Sequence, residues 1–204
     1  MKCPAGHYCQ SADNTAGTNP DGLLTPCAAG TYSGGNSLAA STDCKACSPG
    51  HYCLEGSVFP TPCAAGTHNV SPSSTSDAAC TNCDAGYVCP FLGNKIGHTQ
   101  GFQCEPGYYC EAGSSEFYAT PIPAGSYNDW PGRENDSTFT ESCPEKYACP
   151  AGTNTLTQPM VPCAAGHVCS GGNTAADEEP CLAGTYSPRT DLTNTNQCET
   201  CPAG

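Results

Sequence analysis

Large apolar side chains are scarce in this chain of 204 residues: Leu, Ile, Val and Phe together supply 20. That is roughly half the share below which a charged chain is expected to stay disordered. Burial at about 25 cal/mol per Å² of apolar surface cannot offset the ordering cost with so few groups, which excludes one large hydrophobic core. Basic residues are also few, 6 Lys and Arg against 19 Asp and Glu, for a net charge of −13. This sign excludes nucleic acid and anionic membrane surfaces as partners and gives a soluble, self-repelling exterior. No Asp-x-Asp loop of the calcium-binding type accompanies the acidic residues. No stretch of 18 apolar residues occurs, so no segment reads as a membrane span. Met1-Lys2-Cys3 lacks the apolar segment of a signal peptide, and the signal of a secreted protein is expected to lie outside this chain. A nucleophile elbow, a phosphate-cradling loop and carboxylates paired at a defined spacing are all missing. The sequence therefore offers no catalytic residue, no cofactor and no metal centre, and points away from an enzyme.

What the chain does have is cysteine, 19 residues of it. That density implies an oxidising compartment, hence an extracellular or cell-surface protein. Crosslinks remove entropy from the unfolded state and so replace the missing core. The expected fold is a string of small disulfide-rich β modules: tandem repeats of short β-hairpins, with little helix and no single hydrophobic core. The 19 prolines and 23 glycines break helices, and no apolar 3.6-residue period persists.

Two phrases organise the cysteines. The first, Cys-x-x-Gly-aromatic-x-Cys and its variants, spans Cys3–Cys9, Cys47–Cys53, Cys83–Cys89, Cys104–Cys110, Cys143–Cys149 and Cys163–Cys169, each enclosing five residues. The second, Cys-x-Ala-Gly-Thr, begins at Cys27, Cys63 and Cys181; after 16 intervening residues come Cys44, Cys80 and Cys198. Two residues later the first phrase restarts at Cys47, Cys83 and Cys201. These spacings divide the chain into repeats at 3–46, 47–82, 83–103 (abbreviated), 104–142 (irregular), 143–162 (abbreviated) and 163–200, with a further repeat starting at 201–204. The Gly-Thr-Tyr-Ser stretches predict short strands that open hairpins. Gly6, Gly50, Gly86, Gly107 and Gly166 predict a positive φ inside the tight loop, with Lys146 in that place in one copy.

If every five-residue loop and every 16-residue loop closes on itself, the pairs are Cys3–Cys9, Cys27–Cys44, Cys47–Cys53, Cys63–Cys80, Cys83–Cys89, Cys104–Cys110, Cys143–Cys149, Cys163–Cys169 and Cys181–Cys198. Cys201 is then left to pair with a residue beyond the chain. Cys149–Cys163 is a rival, because Cys149-Pro150-Ala151-Gly152-Thr153 also fits the second phrase. The Cys-x-x-Cys pairs Cys44/Cys47, Cys80/Cys83 and Cys198/Cys201 have zinc-knuckle spacing but no companion ligands at zinc-like distances, so they read as structural disulfides. His7, His51 and His167 alternate with Tyr87, Tyr108 and Tyr147 at one position. A metal ligand does not exchange with phenol; a ring packed on a disulfide does.

The irregular repeat places Ile122 where a cysteine is expected, and its loop to Cys143 carries Trp130, the only tryptophan and the candidate contact residue. Asn69-Val70-Ser71 and Asn135-Asp136-Ser137 are N-glycosylation sequons in a chain whose cysteines imply secretion, and the stretch 72–76 is a weaker candidate for O-linked sugar.

The segments Cys27-Ala28-Ala29-Gly30-Thr31-Tyr32-Ser33 and Cys44-Lys45-Ala46-Cys47-Ser48-Pro49-Gly50-His51-Tyr52-Cys53 resemble ephrin-receptor-like cysteine-rich repeats of receptor ectodomains and of protist and algal surface proteins. They are also similar to the surface immobilisation antigens of ciliates. The resemblance implies an extended rod of disulfide-bonded β modules outside the cell, without catalysis, and brings no binding residues. The expectation is thus a structural glycoprotein of a surface coat, appendage or filament that associates with copies of itself. The alternative is a ligand-binding cysteine-rich receptor ectodomain with Trp130 at its contact site.

Overall fold

A computed structural model describes residues 3–9, 24–96, 102–135 and 140–202. Among them, twenty two-residue strands pair consecutively into ten two-stranded sheets. The helical segments are three short 3-10 turns at Ser41–Asp43, Asp77–Ala79 and Thr195–Gln197. The protein is a series of small disulfide-rich β modules, and it divides into two compact units. One comprises Met1–Asp84, Val88–Gly101 and Gly113–Ser115; the other comprises Ala85–Tyr87, Phe102–Ala112 and Glu116–Gly204.

Every hairpin has one construction. The strand leaving one Cys-x-x-Gly turn pairs antiparallel with the strand leading into the next. In the first unit, His7–Tyr8 pairs with Thr25–Pro26, Thr31–Tyr32 with Lys45–Ala46, His51–Tyr52 with Thr61–Pro62, and Thr67–His68 with Thr81–Asn82. In the second, Tyr108–Tyr109 pairs with Thr120–Pro121 and Ser126–Tyr127 with Glu141–Ser142. Proline is tolerated in these strands because each two-stranded ladder has a free edge and needs no second N–H donor. The strands expected after Gly30 and Gly184 are therefore present, but the cysteine-bracketed phrases open hairpins as well. The two phrases are one structural element.

Backbone hydrogen bonds join each turn to the next. In the first unit the N–H groups of Cys27, Cys47, Cys63 and Cys83 donate to the carbonyls of Gly6, Gly30, Gly50 and Gly66 at 2.8–2.9 Å. The N–H groups of those four glycines donate in turn to the carbonyls of Ser33, Cys53, Asn69 and Cys89 at 2.7–2.8 Å. The second unit repeats the pattern, with Cys104, Ile122, Cys143, Cys163, Cys181 and Cys201 donating to Gly86, Gly107, Gly125, Lys146, Gly166 and Gly184. The repeat boundaries expected at 46/47 and 82/83 fall between a strand and its turn, at links in this ladder.

A second row of left-handed residues supports the first. Ser37, Gly56, Ser73, Gly93 and Gly113 all have positive φ, and their N–H groups donate to the carbonyls of Cys3, Cys27, Cys47, Cys63 and Cys83. This row sits against turn glycines: a Cβ on Gly30, whose φ is 87°, would overlap the carbonyl oxygen of Ser73. Glycine is needed there for space as well as for φ. Lys146 keeps the positive φ of the other turns, at 75°. The loop that follows the second turn after it, residues 188–191, contains no left-handed residue to press on its Cβ.

Burial belongs to the crosslinks. Eight of the nine residues Cys3, Cys9, Cys27, Cys47, Cys53, Cys63, Cys83, Cys89 and Cys143 are no more than 1% exposed, and Cys143 is 2% exposed. Among the described residues the large apolar side chains that are fully buried are Ile122, Leu192, Val88 and Val168. Phe59, Phe91, Leu92, Leu156 and Leu182 all lie exposed.

Candidate functional site

The structure pairs Cys3–Cys9, Cys27–Cys44, Cys47–Cys53, Cys63–Cys80, Cys83–Cys89, Cys104–Cys110, Cys143–Cys149, Cys163–Cys169 and Cys181–Cys198. Cys149 and Cys163 belong to different short loops. Within the Cys-x-x-Cys pairs the two cysteines go separate ways, Cys44 to Cys27 and Cys47 to Cys53. Cys201 is free and exposed; Gly204, at the end of the further repeat, lies outside the described residues.

Where a turn lacks its second cysteine, a small polar side chain takes the place. Ser33, Asn69, Asn128 and Ser187 occupy that position and are 4%, 3%, 2% and 7% exposed. Asn69 shows how the substitution works. Its Nδ2 donates to the His51 carbonyl at 3.0 Å and to Ser74 Oγ at 2.9 Å, while its Oδ1 accepts the Ser71 N–H at 3.0 Å. A side-chain amide here bridges the turn to two neighbouring segments, as a disulfide bridges it to itself. Sequence reading treated the two phrases as different and so missed these residues; aligning both on their glycine is the signal that finds them.

The same geometry bears on the glycan expected at Asn69, whose side-chain amide is engaged in the folded turn. Glycosylation would replace one amide hydrogen of a nitrogen that is buried and already directed at two acceptors, at the expense of one of those hydrogen bonds. Asn135 is exposed. The rest of its sequon, Asp136 and Ser137, lies outside the described residues. In the stretch 72–76, Ser73 and Thr75 are exposed and Ser74 is buried against Asn69.

The histidines brace turns singly. Nδ1 of His7, His51 and His167 lies 3.2, 3.2 and 3.1 Å from the carbonyls of Ala5, Pro49 and Ala165, two residues back in each chain segment. A cluster with metal-ligand chemistry does occur at His68, Cys83 and Cys89, whose ligand atoms lie within 4.8 Å of one another. His68 Nδ1 is buried without a hydrogen-bond partner. Both sulfurs are joined in the Cys83–Cys89 disulfide, however, and thiolates are what a soft metal ion requires. In the oxidised protein this is an imidazole packed on a disulfide, at the place where Tyr32 stands in an earlier turn.

The irregular hairpin carries the most functional side chains. Ile122 fills the cysteine position and is completely buried. Trp130 is 64% exposed, and its backbone N–H donates to Asn128 Oδ1 at 2.9 Å, which ties the start of the loop to the turn. Tyr127, Asn128, Asp129, Trp130 and Glu141 line an open cavity of about 200 Å³. The Tyr127 hydroxyl donates to Glu141. That bond, then burial, then the charges of Glu141 and Asp129 hold the Tyr127 phenol above its ordinary range.

Among the described residues no helix is long and apolar enough to cross a membrane. No protein-family model matches the chain and no curated protein matches it.

Proposed function

We propose that this protein is a structural, non-enzymatic repeat protein of the extracellular surface, forming part of a glycosylated coat, appendage or filament. The ladder of turn-to-turn backbone bonds carries this reading. Modules that contact mainly their neighbours make quasi-one-dimensional objects, and local crosslinks fasten most of these modules internally. In the chain-entropy model each 17-residue staple contributes roughly 3 kcal/mol and each short one about 2 kcal/mol. The acidic exterior and the resemblance to ephrin-receptor-like surface repeats support the same assignment. Self-association with further copies completes the proposal. Immunogold electron microscopy of native cells tests it: label on regular surface structures is expected, and label confined to the cytoplasm would overturn it. Intact mass with and without deglycosylation tests the glycan. Asn135→Gln is expected to remove N-linked mass and Asn69→Gln to leave it unchanged.

The exposed Trp130 favours a second reading, a ligand-binding ectodomain. High-affinity capture of one partner, abolished by Trp130→Ala, would support it over the coat.

A further inference from the structure

The hairpin from Ser126–Tyr127 to Glu141–Ser142 offers binding chemistry that a scaffold does not need. Its cavity of about 200 Å³ is small against the usual range for drug-sized ligands and suits a single compact ring. One lining residue is Trp130, which is 64% exposed although its backbone N–H is anchored to Asn128. Two carboxylates also line it, each held by one oxygen. Asp129 Oδ1 accepts the Thr155 N–H at 2.7 Å, and Glu141 Oε2 accepts the Tyr127 hydroxyl. The other oxygen of each has no partner among the described residues. Asn128 also lines the cavity; its Oδ1 is satisfied by Trp130 and Arg133, but its Nδ2, though buried, has no partner.

A flat aromatic face, two oriented acceptors and an unsatisfied amide donor select among ligand classes. An anion would meet the charges of Asp129 and Glu141. An ammonium group would suit the carboxylates and the indole, yet it carries only donors and leaves the Asn128 amide unanswered. A sugar ring answers all three: its C–H face packs on the indole, and its hydroxyls donate to carboxylates and accept from the amide. We propose that Trp130, Asp129, Glu141 and Asn128 form a binding site for one neutral monosaccharide unit of a glycan. The site is independent of the coat reading, which stands or falls on localisation.

Because Trp130 is the only tryptophan, its fluorescence reports directly on the cavity. The full chain would be titrated with the methyl glycosides of glucose, galactose, mannose and N-acetylglucosamine, with tetramethylammonium chloride as the cationic competitor. A saturable change in emission with at least one glycoside is expected. The isosteric variants Asp129→Asn and Glu141→Gln should weaken it by about tenfold each, through loss of charge-assisted hydrogen bonds, while keeping the same disulfide map. A response to tetramethylammonium alone, no saturable response to any of the four glycosides, or undiminished binding in both variants would overturn the proposal.

Discussion

The turns at Cys47–Cys53 and Ile122–Asn128 share a backbone and differ in everything that holds it. The first is closed by a disulfide and donates from Cys47 to Gly30; the second is closed by no covalent bond and donates from Ile122 to Gly107. One position that elsewhere holds a sulfur holds a buried Ile122, and the other a buried Asn128. The fold therefore resides in the glycine turn and its ladder, and the disulfide is one of two ways to fasten it. Where the covalent fastening is absent, the adjoining loop carries Trp130 and a cavity. Scaffold and candidate contact site occupy the same architecture with different fastenings.

The turn itself should be the least forgiving part. Gly30→Val combines a left-handed φ with overlap on the Ser73 carbonyl, and is expected to cost about 3 kcal/mol or more, enough to unfold its hairpin. Loss of hydrogen-exchange protection at Cys47 and Cys53 would register it; retained protection would show that the ladder does not depend on that contact. Removing a staple should cost less. Cys47→Ser with Cys53→Ser should lower local stability by about 2 kcal/mol while leaving neighbouring turns folded. Asn69→Ala should cost roughly 1–3 kcal/mol, since it removes three hydrogen bonds at a buried site and leaves the His51 carbonyl without its donor. If the alanine variant matched the parent in denaturant titration, the polar closure would be incidental. The smallest change is Lys146→Gly. It should stabilise by about 0.5–1 kcal/mol, because glycine carries no penalty at φ 75° and no carbonyl needs the space.

Cysteine spacing made the staples and the absence of a core legible, since loops of fixed length between fixed anchors imply local closure. The glycine positions were legible for the same reason. The polar closures were not, because Ser33 and Asn69 look like ordinary loop residues until both phrases are aligned on Gly30 and Gly66. The sequon at Asn69 specifies an acceptor and says nothing about whether its amide is already engaged. The second row of left-handed residues was hidden by variable loop lengths and by serine at positions 37 and 73, where glycine would have flagged the conformation. In the irregular repeat the departure at Ile122 was visible in sequence, while the convergence of Tyr127, Asp129 and Glu141 needed the strand register that sets Tyr127 opposite Glu141.

The central claim is that every disulfide closes locally, within a turn or within its own hairpin, and that successive turns are joined by non-covalent bonds alone. Peptide mapping of the unreduced protein tests it most directly. The expected result is six short pairs from Cys3–Cys9 to Cys163–Cys169 and three long ones, Cys27–Cys44, Cys63–Cys80 and Cys181–Cys198. Crosslinks between successive turns, such as Cys9 to Cys27 or Cys149 to Cys163, would contradict it.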